Sequence, residues 1–195
     1  MPCWAALRAS LRPEPFYFVR HGETDANKAF ILQGHMDTPL NDTGLEQAES
    51  AAQTLQNINI KAVIASDLTR AKQTAAVICD KVLKNSRMDI IPELKERHFG
   101  IYQGKLRDEL DFIRENEFSD IEGGEPYEAF ITRIATGLIK ALQHESPVVI
   151  VSHGGVFRGL GHLLGFGPLK ASNAAVYRLT PVDGSEQWTV EHLNR

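Results

Sequence analysis

Short apolar runs alternate along the chain with longer stretches in which apolar residues recur at helical spacing. Strand-like apolar runs occur at residues 16–19, 62–65, 88–92, 148–151, 174–179 and 188–192. Helical spacing occurs at residues 45–55, 68–83, 106–113, 129–142 and 154–164. The clearest strands are continuously apolar rather than alternating, which favours parallel strands covered on both faces. We therefore predict an α/β fold with three layers, α/β/α, and a mostly parallel central sheet.

Polar residues ahead of the first two helices indicate where they begin. Asp42 or Thr43 is expected to cap the first of them, and Ser66 or Asp67 the second. Arg70 falls in the first turn of the second helix, where a cation opposes the helix dipole. Its presence there indicates an anion nearby rather than a gain in helix stability.

Two strands far apart in the chain end in the same dipeptide. The run at 16–19 leads into Arg20-His21-Gly22, and the run at 148–151 leads into Ser152-His153-Gly154. The carboxyl ends of parallel strands open onto one crevice, so His21 and His153 are expected to meet there. Residues 25–40 then form a loop beside the first strand end.

Composition narrows the class of protein and of ligand. The chain has 195 residues, 43% hydrophobic and 24% charged, which favours one globular domain with a full core. Residues 15–195 are assigned to that domain, and residues 1–14 to an N-terminal extension without the pattern of a signal peptide. The formal net charge of −4 gives no general attraction for nucleic acid, so an anionic ligand needs a local cluster of cations.

The cysteines and the apolar runs bear on location. Cys3 and Cys79 are the two cysteines of the chain, too few for a disulfide framework or a cysteine-based zinc site. No apolar run is long enough to cross a membrane. A cytoplasmic protein without a membrane partner is the resulting expectation.

The residues at the strand ends support chemistry on an anion. Arg20 offers a forked donor, His21 a nucleophile or base near neutral pH, and Gly22 close approach of the backbone. A structural histidine or a surface ion pair would explain this triplet equally well if it stood alone. Arg70, Glu96 and His153 each lie next to another predicted strand end or helix start, and together the set indicates a site.

From residue 16 to about 179 the chain resembles the histidine phosphatase superfamily, which includes cofactor-dependent phosphoglycerate mutase. In chain order its motifs are VRHGET at 19–24 followed by Asn27, SDLTRAKQTA at 66–75, ERHFG at 96–100, GGE at 123–125, VSHGG at 151–155 and NAAV at 173–176. The resemblance implies a phosphoglycerate mutase-like fold. The order and spacing of these motifs make it specific.

The resemblance also implies roles for the site residues. His21 attacks phosphorus and becomes phosphohistidine, while Arg20 and Arg70 bind the phosphoryl oxygens. His153 and the backbone N–H of Gly154 are expected to add donors.

Three further residues are expected to bind substrate or phosphate. Asn27 adds a neutral donor at the edge of the pocket, and Gly34 and Arg107 join it. Arg107, or Arg97, could bind a carboxylate on the substrate.

Two carboxylates compete for the role of general acid. Glu96 begins a motif similar to the proton-donor segment of the mutases, and it is the residue that we choose. Glu93 directly follows a predicted strand and stays open as the alternative. The chosen group must protonate the leaving alkoxide and then deprotonate the attacking water.

No cofactor or metal is expected. A metal site is the rival use of His21 and His153, but the sequence has no His-Glu-x-x-His pattern or carboxylate cluster to complete a ligand set.

The leading hypothesis is a metal-independent phosphatase that hydrolyses a small phosphate monoester through phosphohistidine. A phosphoglycerate mutase is the alternative, although the family's mutases look longer and the path from Gly104 to Gly123 is brief. A binding protein that holds a phosphorylated ligand without turnover is the third. The sequence determines neither the ester nor the oligomeric state, and specificity is expected to come from residues 31–38, 103–127 and 166–173.

Overall fold

A computed structural model describes residues 3–83, 88–107 and 119–194 of the chain. The helices in these ranges are α1 (Cys3–Arg8), α2 (Asp25–Lys28), α3 (Asp42–Leu55), α4 (Thr69–Val82), α5 (Tyr127–Ala141) and α6 (Gly154–Leu164). The strands are β1 (Phe16–Arg20), β2 (Ala62–Ala65), β3 (Asp89–Ile90), β4 (Val148–Ser152), β5 (Val176–Pro181) and β6 (Trp188–His192). Short 3-10 turns follow β3 at Pro92–Leu94 and Gly100–Tyr102.

In the described ranges the strands form one six-stranded sheet in the order β3-β2-β4-β1-β5-β6. The first four strands in this order are parallel, and β5 and β6 extend the sheet with antiparallel pairs. The mostly parallel sheet of the prediction is confirmed. Strands β1 and β4 are central neighbours, so their carboxyl ends lie side by side.

Alternation along each central strand divides the core between the two faces of the sheet. Phe16 and Phe18 of β1 pack on the face that α5 and α6 cover, together with Leu7 and Leu11 of the N-terminal segment. Tyr17 and Val19 pack on the opposite face, with residues of α3 and α4. Because both faces are covered, the central strands β1 and β4 are continuously apolar up to their last residues, Arg20 and Ser152, which is the pattern that identified them.

The predicted helix caps are wrong in both cases. Asn41 caps α3, with its side chain accepting from the N–H of Gly44 at 2.8 Å. Leu68 stands at the cap position of α4 and makes no side-chain cap. Instead Asp37 accepts from the N–H of Thr69 at 2.6 Å and from its hydroxyl at 2.9 Å. Asp37, a residue of the loop at 25–40, thus caps α4. Because it lies 32 positions before Thr69, the sequence around α4 does not predict this cap.

Other predicted elements differ in detail. The expected loop at 25–40 contains the single turn α2, which begins with a capping box between Thr24 and Asn27. The expected strand at 88–92 is shorter, because Pro92 begins a 3-10 turn. Of the helix expected at 106–113, residues 108–113 lie outside the described ranges, and Leu106 forms a β-bridge with Ile31. No helix in the part of the chain that is described is both long and apolar enough to span a membrane.

Candidate active site

Two histidines meet at the carboxyl end of the central strands. Arg20 at the end of β1 is in register with Ser152 at the end of β4, so His21 and His153 follow at the same level. The N–H of His21 donates to the carbonyl of Ser152 at 2.9 Å. The ring centroids are 5.2 Å apart, and the side chains are 3% and 0% exposed. The structure brings the predicted pair together in one buried place.

The surroundings of His21 fix its protonation. Its Nδ1 lies 2.7 Å from the carbonyl of Gly22, an acceptor only, so Nδ1 carries the hydrogen and donates it. Burial, followed by the charges of Arg20 and Arg70, holds the pKa of His21 well below its ordinary value. The neutral ring therefore has its lone pair on Nε2, as a nucleophile requires.

His153 is oriented by a serine. Its Nε2 lies 2.7 Å from the hydroxyl oxygen of Ser66, which also accepts from the N–H of Leu68 at 3.3 Å. Burial and then the charge of Arg70 hold the pKa of His153 well below its ordinary value, so this ring is neutral too. We assign the hydroxyl as the donor to Nε2, which puts the hydrogen of the ring on Nδ1. That nitrogen is buried and has no hydrogen-bond partner among the described residues.

Arg70 is almost fully buried at the start of α4. It is 1% exposed, and its Nη1 and Nη2 donate to the carbonyls of Met36 and Gly34 at 2.7 and 2.8 Å. Gly34 has a φ of +54°, and a Cβ there would lie 2.2 Å from Oε1 of Gln103. Gly34 is therefore placed to support the site through the arginine. The loop at 25–40 was expected beside the strand end, and it orients this guanidinium.

Arg20, at the end of β1, also lies near His21, where its charge acts together with that of Arg70. Its Nη1 donates to the carbonyl of Ala171 at 2.8 Å. A Cβ on Gly154, the first residue of α6, would stand 3.5 Å from its Nε. Burial, and then the charge of Arg107, lowers the pKa of Arg20 to about 10. The guanidinium still carries its charge near neutral pH.

Three buried donors in this region are unsatisfied. Within the described ranges Nε of Arg20, Nε of Arg70 and Nδ1 of His153 have no hydrogen-bond partner. A buried donor without a partner costs on the order of 1–3 kcal/mol, and more when it is charged. Guanidinium and imidazole N–H groups are the donors that bind anions with several oxygens, and phosphate is such an anion.

The two candidate general acids lie in different surroundings. Glu96 is 8% exposed, and its oxygens accept from the N–H groups of Arg97 at 2.9 Å and Gly155 at 3.0 Å. Its carboxylate thus sits at the N-terminus of α6. Glu93 forms an ion pair with Lys140 that keeps its pKa below the ordinary value. The charge of Glu96 acts on Arg20 and Arg70, where it raises the pKa of each guanidinium, and the bond to Gly155 places Glu96 next to the start of α6.

A pocket of about 170 Å³ adjoins Arg20. Its lining residues are Arg20, Asn27, Phe30, Ile31, Arg107 and Asn173. Asn173 donates to the carbonyl of His21 at 3.1 Å and to the side-chain oxygen of Asn27 at 3.2 Å. Asn27 and Arg107, both predicted from the sequence, therefore lie in one small pocket next to the guanidinium of Arg20.

Arg97 has a different environment from the one expected. It is 2% exposed, its Nε and Nη2 both donate to the carbonyl of Glu125 at 3.0 Å, and its Nη2 donates to that of Ser119 at 2.7 Å. These contacts join two loops. Of the two arginines, Arg107 lines the pocket beside Arg20 and Arg97 does not.

Ser66, Asn173 and Arg133 contact the candidate site residues, and the sequence did not predict these contacts. Ser66 was read as a helix cap, although its place directly after β2 is the same signal that identified the histidines. Asn173 belongs to the NAAV motif and to the segment 166–173 that is expected to set specificity, but no individual role is predicted for it. Arg133 lies in the middle of α5 and contacts the loop of Glu96. No local pattern distinguishes it from a solvated helix face.

The described residues contain no group of three or more histidine, cysteine, aspartate or glutamate side chains that could hold a metal ion.

Comparison with known proteins identifies the family to which this chain belongs. The model of the histidine phosphatase superfamily (branch 1) matches residues 16–195. The chain is 36% identical over 160 residues to a metal-independent phosphoserine phosphatase of Arabidopsis thaliana, covering 73% of this chain and 65% of that protein. It is 34% identical over 162 residues to a broad-specificity phosphatase of Saccharomyces cerevisiae, covering 73% and 66%. The chain thus spans about two thirds of the length of these curated relatives.

A solved structure is similar as well. The crystal structure of TTHB049 from Thermus thermophilus superposes with a TM-score of 0.73 at 28% identity, covering 92% of this chain and 98% of that one.

Proposed function

The chain belongs to branch 1 of the histidine phosphatase superfamily, and from that premise we propose that it hydrolyses a small phosphate monoester through a phosphohistidine on His21, without a metal ion. One observation carries the proposal. Three buried and unsatisfied donors, on Arg20, Arg70 and His153, lie around a neutral histidine whose Nε2 lone pair is available. This arrangement suits a phosphoryl group on its way to His21.

The first half of the reaction transfers the phosphoryl group to the enzyme. The Nε2 lone pair of His21 forms a bond to phosphorus, and the bond between phosphorus and the ester oxygen breaks. Charge develops on the three equatorial oxygens, and Arg20, Arg70 and His153 donate to them. Glu96, in its protonated form, gives its proton to the departing alkoxide.

The second half returns the enzyme to its starting state. Glu96, now a carboxylate, takes a proton from a water molecule as the water oxygen bonds to phosphorus. The bond between phosphorus and Nε2 breaks, so His21 regains its lone pair and inorganic phosphate leaves. Glu96 is again protonated, and the atoms and charges balance over the cycle.

The pocket beside Arg20 is the proposed site of the leaving group. Its volume of about 170 Å³ fits an alcohol of a few heavy atoms, below the usual range of drug-sized ligand sites. Asn27 and Arg107 offer polar contacts on its walls. Small phosphorylated metabolites are therefore the proposed substrates, and phosphoserine, which names one relative, is a natural first compound to assay.

Trapping the intermediate tests the proposal. Wild-type protein mixed with a phosphorus-32-labelled substrate and quenched in alkali should carry label on His21, and acid should release that label. His21→Ala should give no label and no release of phosphate. His144→Ala alters a partly exposed histidine that pairs with Asp89, and it should label like the wild type. A chelator should leave turnover unchanged. Label on another residue, or phosphate release without label, would contradict the proposal.

A pair of substitutions separates the two candidate acids. Glu96→Gln should lower kcat/KM for alkyl phosphates by about 10²-fold or more, because general acid catalysis typically contributes that much. Glu93→Gln should cost little activity, since that side chain pairs with Lys140. The reverse order of effects would show that the acid is Glu93.

A mutase is the second candidate function, and one observation favours it. Arg107 lines the pocket next to Arg20, where it could bind the carboxylate of a phosphoglycerate. An assay of 3-phosphoglycerate and 2-phosphoglycerate interconversion with a bisphosphoglycerate primer decides between them. We expect phosphate release and no sustained interconversion.

A further inference from the structure

Glu96 lies on a segment that has little regular structure of its own. Residues 95–99 lie between the 3-10 turns Pro92–Leu94 and Gly100–Tyr102. The Glu96 carboxylate has its place through two backbone donors, Arg97 and Gly155. Such a segment needs support from elsewhere if the carboxylate is to stay within reach of a leaving group.

Arg133 of α5 supplies that support. Its Nη1 donates to the carbonyls of Glu93 and Lys95, both at 2.8 Å, and its Nη2 to that of Glu96 at 3.1 Å. Its Nε and Nη2 bind the two carboxylate oxygens of Glu125, both at 2.7 Å. A guanidinium has five N–H groups, and these five bonds use all of them. One side chain therefore holds three carbonyls, those of Lys95 and Glu96 in this segment and that of Glu93 in the 3-10 turn before it.

Glu125 is itself tied to the same segment. Its N–H donates to the carbonyl of His98 at 2.9 Å, and its carbonyl accepts from Arg97 at 3.0 Å. The side chains of Arg133 and Glu125 are 22% and 16% exposed, so solvent screens this pair less than an ion pair on the surface. The helix, the turn at Glu125 and the loop of Glu96 are thus joined by one network.

We propose that Arg133 and Glu125 are positioning residues that hold the Glu96 carboxylate in place for proton transfer. The inference rests on the proposed function, in which Glu96 is the general acid. Neither residue lines the pocket beside Arg20. Both act through the backbone of residues 93–98.

The proposal has a kinetic signature that a structural role alone would not produce. An alkoxide leaves only when it is protonated, whereas p-nitrophenolate leaves without a proton, so a misplaced Glu96 should affect only esters of the first kind. The comparison uses kcat/KM, which reports the steps through departure of the first product and not the later attack of water.

The test measures kcat/KM for O-phosphoserine and p-nitrophenyl phosphate in the wild type and in four variants. Arg133→Gln, Arg133→Lys and Glu125→Gln should lower the value for phosphoserine by about 10²-fold, the loss that small misplacements of a reacting group cause. Each should leave the value for p-nitrophenyl phosphate within about threefold of the wild type, since that step needs no proton from Glu96. Arg133→Lys keeps the charge but offers three donors in place of five. If its kcat/KM for phosphoserine also falls, the effect comes from the hydrogen bonds of the guanidinium and not from its charge.

Lys140→Gln is the matched control. Lys140 lies on the same helix and pairs with the side chain of Glu93 on the same loop, but it contacts none of the carbonyls that Arg133 holds. It should match the wild type with both esters. Thermal unfolding of every variant shows which of them fold, and Glu125→Gln and Arg133→Lys carry the test if Arg133→Gln does not.

Amide hydrogen exchange separates this inference from the proposed function. The N–H groups of Arg97 and Gly155 bond to the Glu96 carboxylate, so their protection should fall in Arg133→Lys and in Glu96→Gln but not in Lys140→Gln. Unchanged protection, or equal losses with both esters, would overturn the inference. If the wild type releases phosphate from no small phosphate monoester, the proposed function is wrong, and exchange alone decides whether Arg133 positions Glu96.

Discussion

The imidazole of His21 is the group on which the proposed chemistry depends, and its surroundings keep it neutral. Burial and the charges of Arg20 and Arg70 lower its pKa, and the carbonyl of Gly22 fixes the hydrogen on Nδ1. The same arginines that would stabilise a bound phosphoryl group thus also keep the nucleophile unprotonated. His153 has the same depressed pKa, and Ser66 orients it.

These two histidines predict how stability depends on pH. In the unfolded chain each takes up a proton near pH 6.5, while in the folded protein each stays neutral. Below about pH 6.5 the unfolded state binds more protons, so the free energy of unfolding falls as pH falls. The slope should approach about 1.4 kcal/mol per pH unit for each histidine.

Urea unfolding between pH 7 and pH 5 measures this slope. His21→Gln and His153→Gln should each have a shallower dependence than the wild type, because each lacks one of the two groups. The carboxylates of the chain contribute equally to the pH dependence of unfolding in all three proteins. Equal slopes would mean that the histidines are not held neutral by the fold.

At the scale of elements, helix α6 brings the two halves of the site together. Its N-terminus follows His153 directly, the first residue Gly154 lies against Arg20, and Gly155 donates to Glu96. The helix therefore fixes how far the guanidinium of Arg20 lies from the carboxyl group of Glu96, the proposed acid.

Gly155→Ala tests this arrangement. A Cβ at residue 155 would lie 2.2 Å from Oε1 of Glu96, so the carboxylate must move. Alanine is favoured over glycine inside a helix by about 1 kcal/mol, and we expect the variant to fold. Its kcat/KM for O-phosphoserine should fall by about 10²-fold, while that for p-nitrophenyl phosphate changes little. Full activity with phosphoserine would show that Glu96 does not need this position.

At the scale of the whole molecule, the site and the N-terminal segment lie in different places. The site residues come from the strand ends and loops between residues 20 and 173. Leu7 and Leu11 pack on the core beneath α5 and α6, and Arg8 forms an ion pair with Glu186 at 3.7 Å. The N-terminal segment thus covers apolar surface and contributes none of the proposed site residues.

Removal of residues 1–12 should lower stability more than activity. Two half-buried leucines are lost, and the free energy of unfolding should fall by about 2 kcal/mol, as expected from the burial of aliphatic side chains. The kcat/KM of the folded variant should stay close to that of the full chain. Urea unfolding and phosphatase assays measure the two effects, and Leu7→Ala with Leu11→Ala in the full chain serves as a control. Loss of activity in a variant that remains folded would place the segment nearer to the chemistry.

Much of this molecule could be predicted from local pattern. The family and the mostly parallel α/β fold are confirmed, and the relatives that the chain matches include proteins named as phosphatases. Helix α6 and strand β6 have the predicted bounds. The roles of the site residues, the absence of a metal requirement and the cytoplasmic location stay predictions. The predicted helix caps were wrong by one residue at α3, where Asn41 is the cap, and by a distant residue at α4, where Asp37 lies 32 positions from Thr69.

The sequence by itself determined which strands are buried, that two of them end in histidine, and which family the chain resembles. These follow from periodicity and from motifs whose residues are close together in the chain. Only the tertiary structure decided which groups hold the site residues in place, such as Gly34 and Met36 for Arg70 and Arg133 for the loop of Glu96. Such contacts join residues about 35 or more positions apart, and they exist only once the loops and helices have packed around the sheet.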